Sequence, residues 1–293
     1  MGVNGVPKGS VAGLPTPPRA LVMGVLNVTP DSFSDGGLWL EPERAIAHGH
    51  ELLAEGADLI DVGGESTRPG AARPSEQEEL RRVIPVVRAL VEAGAQVSID
   101  TMRARVAHEA IEAGAVLVND VSGGLADPEM LPMVASSGVA YVSMHWRGFS
   151  DQMQSRAVYD DVVAEVIKGL RSRAEAAYAA GIPAERIAID PGLGFAKTGE
   201  HNWTLLAALD RLTAVGHPVL LAASRKTFLG TLLSDPATGR PRRTVERDDA
   251  SVAIAVLAAR AGVWCVRAHA VRPTLDAVKV AARWGAEEAG TSP

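Results

Sequence analysis

The chain of 293 residues has a single cysteine, few aromatic side chains (4%), no excess of positive charge and no long apolar run. The lone Cys265 lies within Val263-Trp264-Cys265-Val266 and has no partner in the chain. That excludes a disulfide framework and marks it as a small buried apolar side chain. No apolar stretch approaches the roughly 18–20 residues that a membrane helix needs. Residues 1–20 carry glycines and four prolines but lack the continuous apolar segment of a secretion signal. They are expected to form a flexible N-terminal tail on a cytoplasmic protein. The net charge of −6 opposes general nucleic-acid affinity, which needs a clustered basic surface, while leaving room for a local cationic pocket. Small molecules are the expected partners, with no nucleic acid and no membrane.

What the chain does have is a hydrophobic content of 47%, enough for a large core, and a length within the range of one barrel domain. Eight short apolar runs recur at a mean spacing of roughly 34 residues with helical patterns between them, as a parallel α/β architecture requires. The runs predict strands over about 21–26, 58–62, 96–100, 116–119, 139–144, 186–190, 218–223 and 263–267. The clearest helix spans 76–92: Leu80, Val83, Ile84, Val87, Leu90 and Val91 share one stripe, and Ser75 with Glu78 reads as a capping box. Gly94 supplies the stop, and Pro85 predicts a kink. Similar glycine stops recur at Gly56, Gly114, Gly181 and Gly262. Eight units favour a closed (β/α)8 barrel over 21–285, with 286–293 a flexible C-terminal tail; an open doubly wound sheet is the competing arrangement. Connections 27–42, 63–75 and roughly 227–247 are longer than turning requires and are candidate lids.

Each apolar run ends in a residue able to hydrogen-bond a ligand: Asn27, Asp61, Asp100, Asn119, His145, Asp190, Ser224-Arg225-Lys226 and Arg267. In a parallel barrel the C-terminal strand ends converge on one mouth, so these groups would surround a single cavity. Taken singly, each acid or amide is more often a strand-end or helix-capping residue; their convergence is what reads as an enzyme. Other signals fail. Gly192-Leu193-Gly194 is not a dinucleotide fingerprint because Lys197 holds the third glycine position, and Lys226-Thr227 lacks the glycines of a phosphate loop. His48 and His50 fall on different faces of a helix. The run Arg240 to Asp249 reads as a solvated loop.

The segments Gly24 to Gly37 and Asp61 to Gly70, together with Ser98-Ile99-Asp100-Thr101, Val118 to Gly124, Met144 to Gly148, Asp190 to Thr198, Ser224-Arg225-Lys226 and Arg267-Ala268-His269, resemble in order the segments of the dihydropteroate synthases. The resemblance covers about 21–285. It implies a barrel transferase of folate biosynthesis that condenses a pterin pyrophosphate with 4-aminobenzoate, with Mg²⁺ as cofactor and a homodimeric state. It carries pterin contacts to Asp100, Asn119, Asp190 and Lys226, and pyrophosphate contacts to Asn27, Arg68, Arg267 and His269. Asn27 is implied as the Mg²⁺ ligand. The 4-aminobenzoate site is implied near Phe33, Thr67, Pro69, Phe195 and Thr227. Lys226, Arg267, His269 and Asp100 are the implied catalytic residues. The chain departs from the family pattern at Ala222, usually Gly, where a methyl group could crowd the pterin, and at Ala270, usually Asp. Two alternatives remain: a barrel that passes a folate methyl group to a corrinoid, which would share the pterin carboxylates and the amide but should not need Thr67-Arg68-Pro69 or Ser224-Arg225-Lys226, and a pterin-binding paralogue without synthase activity.

Overall fold

The computed structural model describes residues 7–29, 41–65, 73–149 and 153–290. Short, β-branched apolar runs form its strands: β1 (Leu21–Asn27), β2 (Leu59–Gly63), β3 (Val97–Asp100), β4 (Leu117–Asp120), β5 (Ala140–Met144), β6 (Ile187–Asp190), β7 (Leu220–Leu221) and β8 (Cys265–Ala268). All neighbouring pairs are parallel, in the order β6-β5-β4-β3-β2-β1-β8-β7. The two ends meet through a parallel bridge between Ile189 and Val219, with the Ile189 N–H donating to the Pro218 carbonyl at 2.9 Å. The sheet therefore closes, and the open-sheet alternative is excluded.

Helices α1 (Glu41–Ala54), α2 (Glu76–Glu92), α3 (Ala104–Glu112), α4 (Met130–Ser137), α5 (Val162–Ala179), α6 (Gly199–Ala207), α7 (Leu209–Thr213), α8 (Thr227–Leu232), α9 (Asp248–Arg260) and α10 (Val271–Glu288) surround it. Side chains on a strand alternate between faces, and the two apolar clusters follow that alternation. Val22, Leu26, Ile60, Val62, Ile99, Val118, Ile189 and Val266 face outward into the layer shared with the helices. Leu21, Met23, Leu59, Leu117, Ala140, Val142, Ala188, Leu220 and Cys265 fill the interior.

Residues 7–20 differ from the tail expected of them. Val11 and Leu14 are buried in the interior cluster at the N-terminal strand ends, and Lys8 and Ala12 donate backbone hydrogen bonds to Gly262 and Glu185. Proline and glycine here shape a plug that covers an apolar barrel floor. The capping box at α2 is also only half made. The Ser75 hydroxyl accepts from the Glu78 N–H at 3.2 Å, but the Glu78 carboxylate turns to Arg81 and Arg82. Pro85 lies inside α2, whose span matches the expected one. The glycine stops at 56, 94, 114, 181 and 262 all take positive φ. The expected loop 227–247 contains α8 and a 3₁₀ turn at Thr244–Arg247. Arg247, placed in a solvated run by composition, is buried, where its guanidinium donates to the carbonyls of Arg242 and Arg225.

Leu90 packs α2 against α1. It is fully buried, and a Cβ built on Gly49 of α1 would lie 2.6 Å from its Cδ2. Leu90→Ala is expected to lower the unfolding free energy by about 2–5 kcal/mol in urea titration; an unchanged midpoint would show that the α1–α2 seam does not bear on stability.

Candidate active site

The alternation that buries Leu21, Met23 and Leu59 also turns Asn27 and Asp61 inward, because both share that parity. The same holds for Asp100, Asn119, Asp190 and Arg267 relative to Ser98, Leu117, Ala188 and Cys265. Strand register aligns Asn27, Gly63, Asp100 and Asn119 side by side, with Asp61 and Ser98 one layer below. The C-terminal mouth thus collects carboxylates, carboxamides and a guanidinium.

Asp61 is the hub. Its buried carboxylate accepts from Ser98 Oγ at 2.6 Å, Asn119 Nδ2 at 2.9 Å and Arg267 Nε at 2.6 Å. Arg267 extends a second arm, Nη2, to Asp100 Oδ2 at 2.8 Å. Burial pushes the Asp100 carboxyl up to about 7; Arg267 opposes that rise and the nearby Asp61 adds to it. For Arg267 burial works against the charge, but Asp61 and Asp100 outweigh it and hold the guanidinium above its ordinary value. A buried charge is tolerated only when paired and hydrogen-bonded in this way.

Across the mouth, Asp190 Oδ1 accepts from the Gly192 N–H at 2.7 Å. Burial raises the Asp190 carboxyl, with Lys226 the largest opposing influence. Lys226 caps the N-terminus of α8; its Nζ donates to the Leu193 carbonyl and stands 4.8 Å from the Phe195 ring centroid. Burial brings the Lys226 ammonium down to about 8, against the pull of Asp190. Gly194 permits the approach: its φ is +79°, and a Cβ there would lie 3.2 Å from Lys226 Cδ. His269 is fixed from β7, with the Ser224 hydroxyl 2.9 Å from Nδ1 and accepting the His269 backbone N–H at 3.2 Å.

The structure therefore gathers Asp100, Asn119 and Arg267 in one network through Asp61, and faces Asp190 with Lys226. Asn27 stands at the rim, Phe195 packs against Met102, Val121 and Met144, and Thr227 opens α8 as an exposed residue. Phe33, Thr67, Arg68 and Pro69 lie outside the described residues. Two strand-end residues expected at the mouth turn away. His145 packs against Gly169 of α5 and meets Lys197, while Arg225 pairs through two hydrogen bonds with Asp248.

Sequence reasoning named Asp61 and Ser224 as strand ends but gave them no role, and it placed Ser98 and Lys197 within matched segments without assigning either a function. For Ser98 and Ser224 the signal was a polar residue at or just past an inward strand position; Lys197, seven residues beyond β6, had no such signal. Ala222 is inward-facing among interior apolar residues, and Ala270 is the N-cap of α10 with no side-chain cap. A separate groove of about 780 Å³, lined by Lys168, Arg171, Glu175 and Arg211, lies between α5 and α7 and shares no residue with this mouth.

A closed parallel barrel with an acid–amide–cation mouth defines a small-molecule enzyme, and the family of pterin binding enzymes matches residues 23–269. The chain belongs to that family. Among its relatives, the dihydropteroate synthase of Mycobacterium leprae is 54% identical over 264 residues, covering 90% of this chain and 93% of that protein. The Xanthomonas albilineans dihydropteroate synthase with 4-aminobenzoic acid superposes with a TM-score of 0.83 at 46% identity, covering 94% of each chain. The same enzyme in complex with 7,8-dihydropteroate gives 0.80 at 44% identity, covering 94% of this chain and 95% of that one.

The Asp100 carboxyl makes the mouth sensitive to pH. A carboxyl whose folded pKa lies above its unfolded value binds its proton more tightly when folded, so its contribution to stability is full at low pH and lost as pH rises through the folded value. Between the ordinary 3.8 and about 7, the stability of the ligand-free protein relative to Asp100→Asn is expected to decline with rising pH. Parallel stability curves for the two proteins would contradict this environment for Asp100.

Proposed function

We propose that this chain is a dihydropteroate synthase. It transfers the pterinylmethyl group of 6-hydroxymethyl-7,8-dihydropterin pyrophosphate to the amine of 4-aminobenzoate, giving 7,8-dihydropteroate and pyrophosphate. The reading rests on one observation above others: the convergence of Asp190, Lys226, Asn119, Asp100 and Arg267 on one barrel mouth, in a chain with the similarities just described.

The pterin presents a donor edge, its 2-amino group and a ring N–H, beside acceptors. Asp190 takes that edge with its carboxylate, held in orientation by the Gly192 N–H. Asn119 has its amide nitrogen committed to Asp61, which accepts only, so its carbonyl oxygen is the group turned to the ring. Lys226 meets the pterin carbonyl oxygen and a ring nitrogen, and Asp100 closes the remaining polar side.

The pyrophosphate is met by cations whose geometry is already set. Arg267 uses Nε and Nη2 on the two aspartates, leaving the Nη1 edge for phosphate oxygens. The Ser224 hydroxyl accepts the His269 backbone N–H and stands 2.9 Å from Nδ1, which fixes the ring and leaves the Nε2 edge for the leaving group. Arg68 belongs to the same set. Among the described residues no three His, Cys, Asp or Glu side chains form a metal cage, and the single inward carboxamide oxygen of Asn27 fits a Mg²⁺ that arrives with its substrate. When bound, the ion supplies charge neutralisation on the phosphate oxygens.

Phe195 offers the 4-aminobenzoate ring an apolar wall and Thr227 its carboxylate a hydroxyl; Phe33, Thr67 and Pro69, outside the described residues, are assigned to the same subsite by the family resemblance alone. An aryl amine is neutral at physiological pH and needs no base before attack. As the carbon–oxygen bond breaks, the exocyclic methylene becomes cationic, the pyrophosphate leaves with the bonding pair, and the amine captures the carbon. The chain contributes leaving-group stabilisation and positioning. We place the enzyme in the cytoplasm as a homodimer; the exposed Leu257, Val280 and Trp284 of α9 and α10 offer an apolar face for a second copy.

The test is product formation from pterin pyrophosphate, 4-aminobenzoate and Mg²⁺ by the purified protein. Turnover should require both substrates, and Asp190→Asn and Lys226→Ala should each reduce it at least about a hundredfold. Near-normal rates in either variant would remove that residue from the site.

A further inference from the structure

One buried charge stands outside the machinery described above. Lys197, 3% exposed, follows the β6–α6 loop. Its Nζ donates to the Gly192 carbonyl at 3.0 Å and the Phe195 carbonyl at 3.0 Å, and lies 3.1 Å from His145 Nδ1. None of these partners carries a negative charge. His145 is itself neutral: burial, then the charge of Lys197, brings its ring down to about 2, so Nδ1 accepts from the ammonium. An apolar side chain would be cheaper to bury at this position.

The loop that Lys197 closes is the one Lys226 rests on. Its backbone visits the left-handed region at Gly192, Gly194 and Ala196, with φ of +68°, +79° and +48°. Ala196 has a Cβ and is strained there. This alternation sends the Gly192 and Phe195 carbonyls to Lys197 and the Leu193 carbonyl to Lys226. Two ammonium groups therefore hold one loop through three of its carbonyls. The third partner ties the loop to Asp190, because the His145 N–H donates to the Asp190 carbonyl at 2.9 Å while its ring receives Lys197.

We propose that Lys197 is a positioning residue for pterin binding: by joining His145, Gly192 and Phe195, it fixes the loop that carries Phe195 and seats the Lys226 ammonium opposite Asp190. This rests on the dihydropteroate synthase reading. The charge also serves Asp190, whose carboxylate it favours. Its own ammonium comes down to about 7 through burial, with Asp190 the main influence retaining it.

The experiment is steady-state kinetics of Lys197→Met, nearly isosteric and uncharged, alongside thermal unfolding. The expected result is a pterin pyrophosphate KM raised at least about tenfold and a kcat lowered about tenfold, the scale of a misplaced binding group, in protein still folded at the assay temperature. A lower Tm with unchanged KM and kcat would overturn the proposal, since a merely structural lysine gives that pattern. Should Lys197→Met not fold, the pair His145→Asn and His145→Phe decides: Asn keeps an acceptor near the Nδ1 position and should retain the wild-type pterin KM, whereas Phe should raise it about tenfold. Equal effects of the two would overturn the proposal. Wild-type turnover separates the two levels: an active wild type beside an unchanged Lys197→Met protein overturns only the role of Lys197, while an inactive wild type overturns the activity and this role with it.

Discussion

The mouth of this barrel depends on one guanidinium placed between two buried carboxylates. Arg267 spans Asp61 and Asp100, and Asp61 in turn fixes Asn119 and Ser98. Four strands, β8, β2, β3 and β4, are cross-linked by these hydrogen bonds at the level where ligand must enter. Removing the cation would leave adjacent carboxylates buried and unpaired, a loss of about 3–5 kcal/mol for a broken buried pair. The network therefore fixes geometry: Asn119 must present its oxygen, and Arg267 must present the edge its partners leave open.

That arrangement is a consequence of strand parity and barrel closure. A polar residue two positions beyond an interior apolar one must also face inward, and parallel strands place all such residues at the same end. Apolar side chains fill the lower layers, with Val11 and Leu14 closing the floor, so charge is confined to the top. Charge there is costly, and the mouth offsets it by pairing Asp61 and Asp100 with Arg267 and by setting the Lys226 charge where it favours the Asp190 carboxylate. An incoming ligand that combines a donor edge with an anionic tail matches what the pairing leaves unsatisfied.

This logic also explains what was legible in the sequence. Strand number, the glycine stops and the inward set Asn27, Asp100, Asn119, Asp190 and Arg267 followed from periodicity and from where each apolar run ends. Lys226 stood in a strand-end triplet and gained its role, as His269 did, from the family pattern. Residues whose role depends on a partner distant in the chain were harder to see. Asp61 reads as one more strand end until Arg267 and Asn119 are beside it. Lys197 counts in the sequence only as the residue that spoils a dinucleotide fingerprint, because its partner His145 is distant in the chain. His145 itself was expected at the mouth, but it lies past the end of β5 and packs onto α5. Composition misled at residues 7–20, where prolines and glycines suggested a loose tail and two apolar side chains, Val11 and Leu14, decide the outcome. The run Arg240 to Asp249 is exposed over 240–246, as its composition suggests, and departs from that reading where Arg247 and Asp248 grip Arg225 through its carbonyl and its guanidinium.

The most direct measurement of the central claim is a crystal structure of the protein with the pterin pyrophosphate in the absence of 4-aminobenzoate. The account predicts the pterin donor edge on the Asp190 carboxylate, the Asn119 carbonyl oxygen on the ring, and phosphate oxygens on Arg267 and His269, with the Arg267–Asp61 and Arg267–Asp100 bonds intact. A ligand bound elsewhere, or a guanidinium that abandons both aspartates to reach the phosphate, would contradict it.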